Sequence, residues 1–145
     1  MKLREKGHFA ERPSLAGAAE VVARNVERWA DVHARTHWQL ADETIVDGSD
    51  FYVGERELGH LHLYPEAHVA MPGTIHDAVI AAKLASPFRW SERFVVHRVR
   101  TMEEAHATEW LFRLAYDRLQ GVSLAALRER IDQRASGTLL LQHGE

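Results

Sequence analysis

The first regular pattern begins after Pro13-Ser14. Leu15, Ala18, Ala19, Val22, Val26, Trp29, Ala30 and His33 recur at three- and four-residue steps, which predicts a helix over 15–36. Glu20, Arg24, Glu27, Arg28 and Asp31 fill much of the other face, so the apolar stripe is expected to pack on a sheet. From 38 to 72 the pattern shortens to extended runs. His37-Trp38-Gln39-Leu40 predicts a first strand, Asp47-Gly48-Ser49-Asp50 a turn, and Phe51-Tyr52-Val53-Gly54 a second strand. Glu55-Arg56 predicts a turn into a third strand, Leu58-Gly59-His60-Leu61-His62-Leu63-Tyr64. Pro65-Glu66 turns the chain again, and His68-Val69-Ala70-Met71 is a further strand. Close spacing and short turns imply antiparallel pairing.

Pro72-Gly73 closes this segment. Thr74 with Asp77 three residues on predicts a helix start, and that helix runs to about Ala85, before Pro87. Arg93 to Val99 is one more strand. Thr101 with Glu104 forms a capping box. The helix behind it carries the stripe Ala105, Thr108, Leu111, Phe112, Ala115 and Leu119, and Gly121 ends it. Ser123 caps a shorter helix to about Ala135. The order α-β-β-β-(β)-α-β-α-α reads as α+β: a two-layer sandwich in which helices pack an antiparallel meander sheet. One domain over 13–136 is expected, with a flexible arm at 1–12 and an apolar tail at 137–145. Thr138-Leu139-Leu140-Leu141 in that tail suits docking on the body or self-association into a homo-oligomer.

Composition narrows the function classes. The 145 residues carry no cysteine, which excludes disulfides, thiol nucleophiles, iron–sulfur clusters and cysteine zinc sites. A cytoplasmic location is the expectation. The start MKLREKGHFAERPSL lacks the apolar run of a secretory signal, and no stretch is long and apolar enough to span a membrane. With Lys+Arg 18 against Asp+Glu 21 the net charge is −3, so nucleic acid is not the expected partner. No serine sits in a Gly-x-Ser-x-Gly context, and no Gly-rich phosphate loop is present.

Ten histidines are the compositional outlier. Strand parity sorts them. His60, His62 and Tyr64 share a face with Leu58, while Gly59, Leu61 and Leu63 take the other, which is expected to meet the helices. The histidine face is then the less covered one, with His68 joining it across a tight turn. His60 and His62 lie about 6.6 Å apart along the strand, from a rise of about 3.3 Å per residue. Three readings follow. A metal ion, such as zinc, iron, nickel or copper, is held by His60, His62 and either His68 or Glu66. Or a small polar ligand or a protein partner binds at His60, His62, Tyr64 and His68, with Trp90 as a possible stacking surface. Or these side chains simply pave a half-exposed sheet. The spacing Gly54-x5-His60-x-His62-x3-Glu66-x6-Gly73 also fits the first cupin motif, but the chain turns helical after Gly73 and no second motif follows. His33 and His37 read as a helix-end pair, His76 and His106 as surface or packing residues, and the facing of His97 stays open. Phe88, Trp90 and Phe94 read first as core or rim aromatics.

The run Phe51-Tyr52-Val53-Gly54-Glu55-Arg56-Glu57-Leu58-Gly59-His60-Leu61-His62 resembles the so-called luciferase domain family of small bacterial and fungal proteins. The resemblance continues through His68–Pro72, the helix at 74–85, and the strand and helix at 94–119, covering roughly 37–120. It implies an α+β fold and a shared feature at His60 and His62. It does not imply light emission, and it brings no catalytic residue or cofactor with it. Two departures stand out: Leu63 where the family often has Gly, and Ser86–Ser91, which keeps the Trp of the family's Ser-Gly-Trp segment but lacks its His and its Gly.

Overall fold

A computed structural model describes residues 7–143. Helix α1 (Gly17–Glu27) leads into strands β1 (Val32–Trp38), β2 (Val46–Val53), β3 (Arg56–His62) and β4 (Glu66–Ala70). Helix α2 (Thr74–Ala81), the two-residue strand β5 (Ser86–Pro87), β6 (Phe94–Arg98), α3 (Met102–Leu119) and α4 (Leu124–His143) complete the chain. The strands form one open antiparallel sheet in the order β1-β2-β3-β4-β6-β5. This is the expected α+β sandwich.

One face of the sheet carries the apolar core. Phe51, Leu61 and Val69 pack there with Val22 and Val26 of α1, Ile75 and Val79 of α2, Leu111 and Phe112 of α3, and Leu127 and Ile131 of α4. Phe51 and Phe112 meet edge to face at 5.7 Å. The capping box at Thr101 holds: its hydroxyl accepts from Glu104 N at 3.1 Å, while the Glu104 carboxylate reaches back to Arg100 N at 2.8 Å.

Several boundaries differ from the sequence expectation. The first helix ends at Glu27, because Asp31 takes a left-handed φ of 66° and residues from Val32 on are extended. The apolar spacing at Ala30 and His33 had mimicked a helical stripe. Tyr116 fastens the connecting turn by donating its hydroxyl to Ala30 O at 2.8 Å. The first strand is therefore 32–38 rather than 37–40, and His33 and His37 lie on it. Asp47-Gly48-Ser49-Asp50 is not a turn but the middle of β2. Gly48 is there for closeness: a Cβ on it would lie 1.9 Å from Leu61 O on the adjacent strand. The β2–β3 hairpin turns at Gly54-Glu55, since Val53 already pairs with Arg56. Helix α2 stops at Ala81, and Thr74 is its first residue behind Gly73 rather than its side-chain cap. Helix α4 runs on past Ala135 and Gly137 to His143. Leu139–Leu141, expected as an apolar tail, are helical there, and their side chains lie outside those described.

Parity fails at two points: Leu63, expected to meet the helices, lies past the end of β3 and is exposed, and Leu58 is out of register. On β3, Gly59 pairs with Phe51 and Glu57 pairs with Tyr52, so Leu58 is an extra residue, a β-bulge. The slip sends Leu58 into the core and brings Glu57 to the histidine side.

Residues 1–6 of the expected arm lie outside the described residues. Residues 7–12 run beside β1: Ala10 O accepts from Thr36 N at 2.8 Å, and Glu11 O accepts from the Thr36 hydroxyl at 2.5 Å. Arg12 then joins this segment to α1 through Glu20 and Glu27.

Candidate metal centre

The sheet face away from the core gathers four imidazoles. His60 and His62 come from β3 by alternation, and His68 lies directly opposite His60 on β4. His37 arrives from β1, and its ring stacks on His60 at 4.3 Å with 8° between planes. The face was expected to be the less covered one. Instead His60, His62 and His68 are only 7%, 6% and 5% exposed. Tyr64 stacks on His62 at 4.5 Å, Phe88 packs on His68 at 4.8 Å, and Phe94 packs on His60 at 5.6 Å. These aromatics supply the cover that no helix provides.

Each ring is tied to its own carboxylate. His37 Nδ1–H donates to Asp50 at 2.7 Å, His60 Nδ1–H to Glu57 at 2.8 Å, and His62 Nδ1–H to Asp47 at 2.9 Å. His68 donates from its other nitrogen, Nε2–H, to Glu66 at 2.8 Å. A carboxylate only accepts, so these bonds assign the proton of each ring to the nitrogen facing the carboxylate. In the neutral rings the remaining nitrogens carry lone pairs, and those of His60, His62 and His68 lie close together. His68 Nδ1 lies 3.2 Å from His60 Nε2 and 3.4 Å from His62 Nε2. One ligating nitrogen each from His37, His60 and His62 also falls within a mutual 4.8 Å. This cluster of His and Asp residues could hold a metal ion.

Burial decides the charge state. Removal from water is the largest cause lowering His60 to about 3, with Glu57 opposing it and His37 and His62 adding to it. Burial likewise leads in lowering His62 to about 4, followed by the neighbouring His68. Both rings are neutral at physiological pH, the form that donates a lone pair to a metal. Burial also raises the Tyr64 phenol above its usual range, with Glu66 and Asp47 adding to it.

The residues singled out from sequence divide. His60, His62 and His68 are brought together, with Tyr64 half-exposed against His62 and Glu66 behind His68. Trp90 lies in the loop before β6, 74% exposed, under the Arg89 guanidinium at 4.7 Å. No ring contact links it to the four histidines among the described residues. His97 turns the other way, toward α3, where Thr108 Oγ1 lies 2.7 Å from its Nδ1. His76 is buried on α2, and His106 is exposed on α3.

Four residues of the cluster were missed: His37, Asp47, Asp50 and Glu57. Reading His37 as the helix-end partner of His33 hid it, and the turn composition of 47–50 hid both aspartates. Glu57 was left out because the third strand was expected to begin at Leu58, whereas it begins at Arg56. A strand reading of Val32–Trp38 would have recovered His37, because Val32, Thr36 and Trp38 are residues that favour strands. Nothing in the sequence announces the bulge.

No helix among the described residues is long and apolar enough to cross a membrane. No curated protein and no solved structure matches the chain. Residues 55–115 match the family model described as Luciferase domain, which shows over that segment the family likeness read from Glu57-Leu58-Gly59-His60-Leu61-His62.

Proposed function

We propose that the protein binds one divalent transition-metal ion, zinc(II) being the best fit, through the imidazoles of His37, His60 and His62, whose ligating nitrogens lie within 4.8 Å of one another, with His68 as the adjoining fourth imidazole. The observation that carries this reading is the convergence of lone pairs. Unprotonated nitrogens 3.2 and 3.4 Å apart repel one another unless a cation lies between them. Two nitrogens bound at about 2.05 Å to a tetrahedral ion stand about 3.3 Å apart, the separation found here. The four carboxylates then act as outer partners, fixing each ring's tautomer and orientation and raising its basicity. With three rings 5–7% exposed, the space at the nitrogens suits an ion better than an organic ligand.

The experiment is metal analysis of untagged protein, with titration of stripped protein by zinc, nickel, iron(II) and copper(II). One ion per chain is expected, lost in the His60→Ala/His62→Ala double variant while far-UV circular dichroism is retained. Protein that is isolated metal-free and takes up none of the four ions sinks the reading.

A further inference from the structure

A second concavity lies behind the histidine cluster. It opens where the starts of β3 and β6 and the end of β4 meet α2 and the last turns of α3, and its volume is about 460 Å³. That volume falls within the roughly 300–1,000 Å³ typical of small-molecule sites. Its floor is aliphatic: Met71, Ile75, Leu114 and Leu119, with Phe94 as the one aromatic ring. Its lining includes three arginines from separate elements, Arg56 at the start of β3, Arg93 before β6 and Arg118 on α3. Among the described residues none of the three is held in an ion pair or a side-chain hydrogen bond. Two carboxylates share the lining. Glu57 is committed to His60 Nδ1 at 2.8 Å, which leaves Glu55 alone against three cations.

From this pairing of an apolar lining with arginines that carry no ion pair among the described residues, we infer that the pocket binds an aliphatic monocarboxylate, its chain on Ala70, Phe94 and Leu119 and its headgroup on Arg93 and Arg118. Apolar walls remove the chain from water at roughly 25 cal/mol per Å². A guanidinium offers the carboxylate two parallel N–H donors, a geometry that a lysine cannot copy. The pocket uses none of the four imidazoles as a contact, so this inference stands or falls apart from the metal reading.

Calorimetric titration of the full chain with octanoate, 1-octanol and acetate tests it. Octanoate is expected to bind saturably, one per chain, with octanol and acetate at least tenfold weaker. Arg93→Glu/Arg118→Glu is expected to weaken octanoate at least tenfold with the circular dichroism spectrum unchanged. If that variant fails to fold, the single Arg93→Gln variant, at an exposed position, takes its place with the same tenfold expectation. Octanol binding as tightly as octanoate, undiminished octanoate affinity in the arginine variant, or no saturable octanoate signal each overturns the inference.

Discussion

Two clusters of sheltered polar side chains sit at opposite ends of a contrast. At the start of α1, Arg12 lies between Glu20 and Glu27, its Nε and terminal nitrogens donating four bonds of 2.8–3.0 Å to the two carboxylates. Leu15 N and Arg24 Nε add further donors to Glu20. Every donor there faces an acceptor, and opposite charges neutralise one another. In the histidine cluster the outer half is equally well matched, ring N–H to carboxylate, but with neutral rings the inner half sets acceptor against acceptor. A polar cluster that completes itself is architecture. One that completes itself only on its outside is the observation on which the proposed metal site rests.

The largest test of this contrast is thermal. Zinc at about 1,000 times its Kd should stabilise the chain by about 4 kcal/mol. For a domain of this size that is a rise of roughly 8–16 °C in Tm, at about 2–4 °C per kcal/mol. Differential scanning calorimetry with and without a chelator measures it. A chain whose Tm ignores every divalent ion makes the two clusters alike. Next in size is Arg12→Ala, which strands Glu20 and Glu27 and should cost about 1–3 kcal/mol in urea unfolding while leaving metal stoichiometry intact. Glu57→Gln is the converse. It should lower metal affinity by about 10–100-fold in chelator competition, with little change in metal-free stability.

Acid sharpens the difference further. Arg12 is the first cause holding the Glu20 carboxyl at about 2, against an ordinary 4.5. A depressed carboxyl favours the folded state at pH above about 4.5, and that contribution is lost as pH falls toward 2. Urea midpoints between pH 5 and 2 should therefore decline more steeply for the parent chain than for Arg12→Ala. Parallel slopes would detach Glu20 from acid stability. The smallest effect belongs to Trp90→Ala. This exposed ring should change stability by no more than about 0.5 kcal/mol and leave metal binding untouched.

The elements with caps and long periodicity were legible in the sequence. Thr101 and Glu104 mark the start of α3, and its apolar stripe enters the core as expected. His60, His62 and His68 were legible because alternation and a tight turn are local rules. What escaped depends on tertiary contacts. Gly48 reads as a turn residue until Leu61 O is seen pressed against it. Leu58 reads as a neighbour of His60 until the pairing of β2 with β3 slips by one residue. Half of the cluster's histidine and carboxylate side chains were hidden behind such slips, and they are mostly the carboxylate half. Carboxylates are abundant and carry no spacing signature of their own.

Gly48 has one more bearing on the chemistry. Asp47 and Asp50 stand either side of it on β2, and they hold His62 and His37 respectively. Asp47 reaches His62 only if β2 and β3 come as near as a bare Cα–H permits, so the outer half of the centre is gauged by a side chain that is not there. A single methyl at position 48 would lever the two strands apart like a pebble in a hinge, moving two carboxylates at once without touching a histidine.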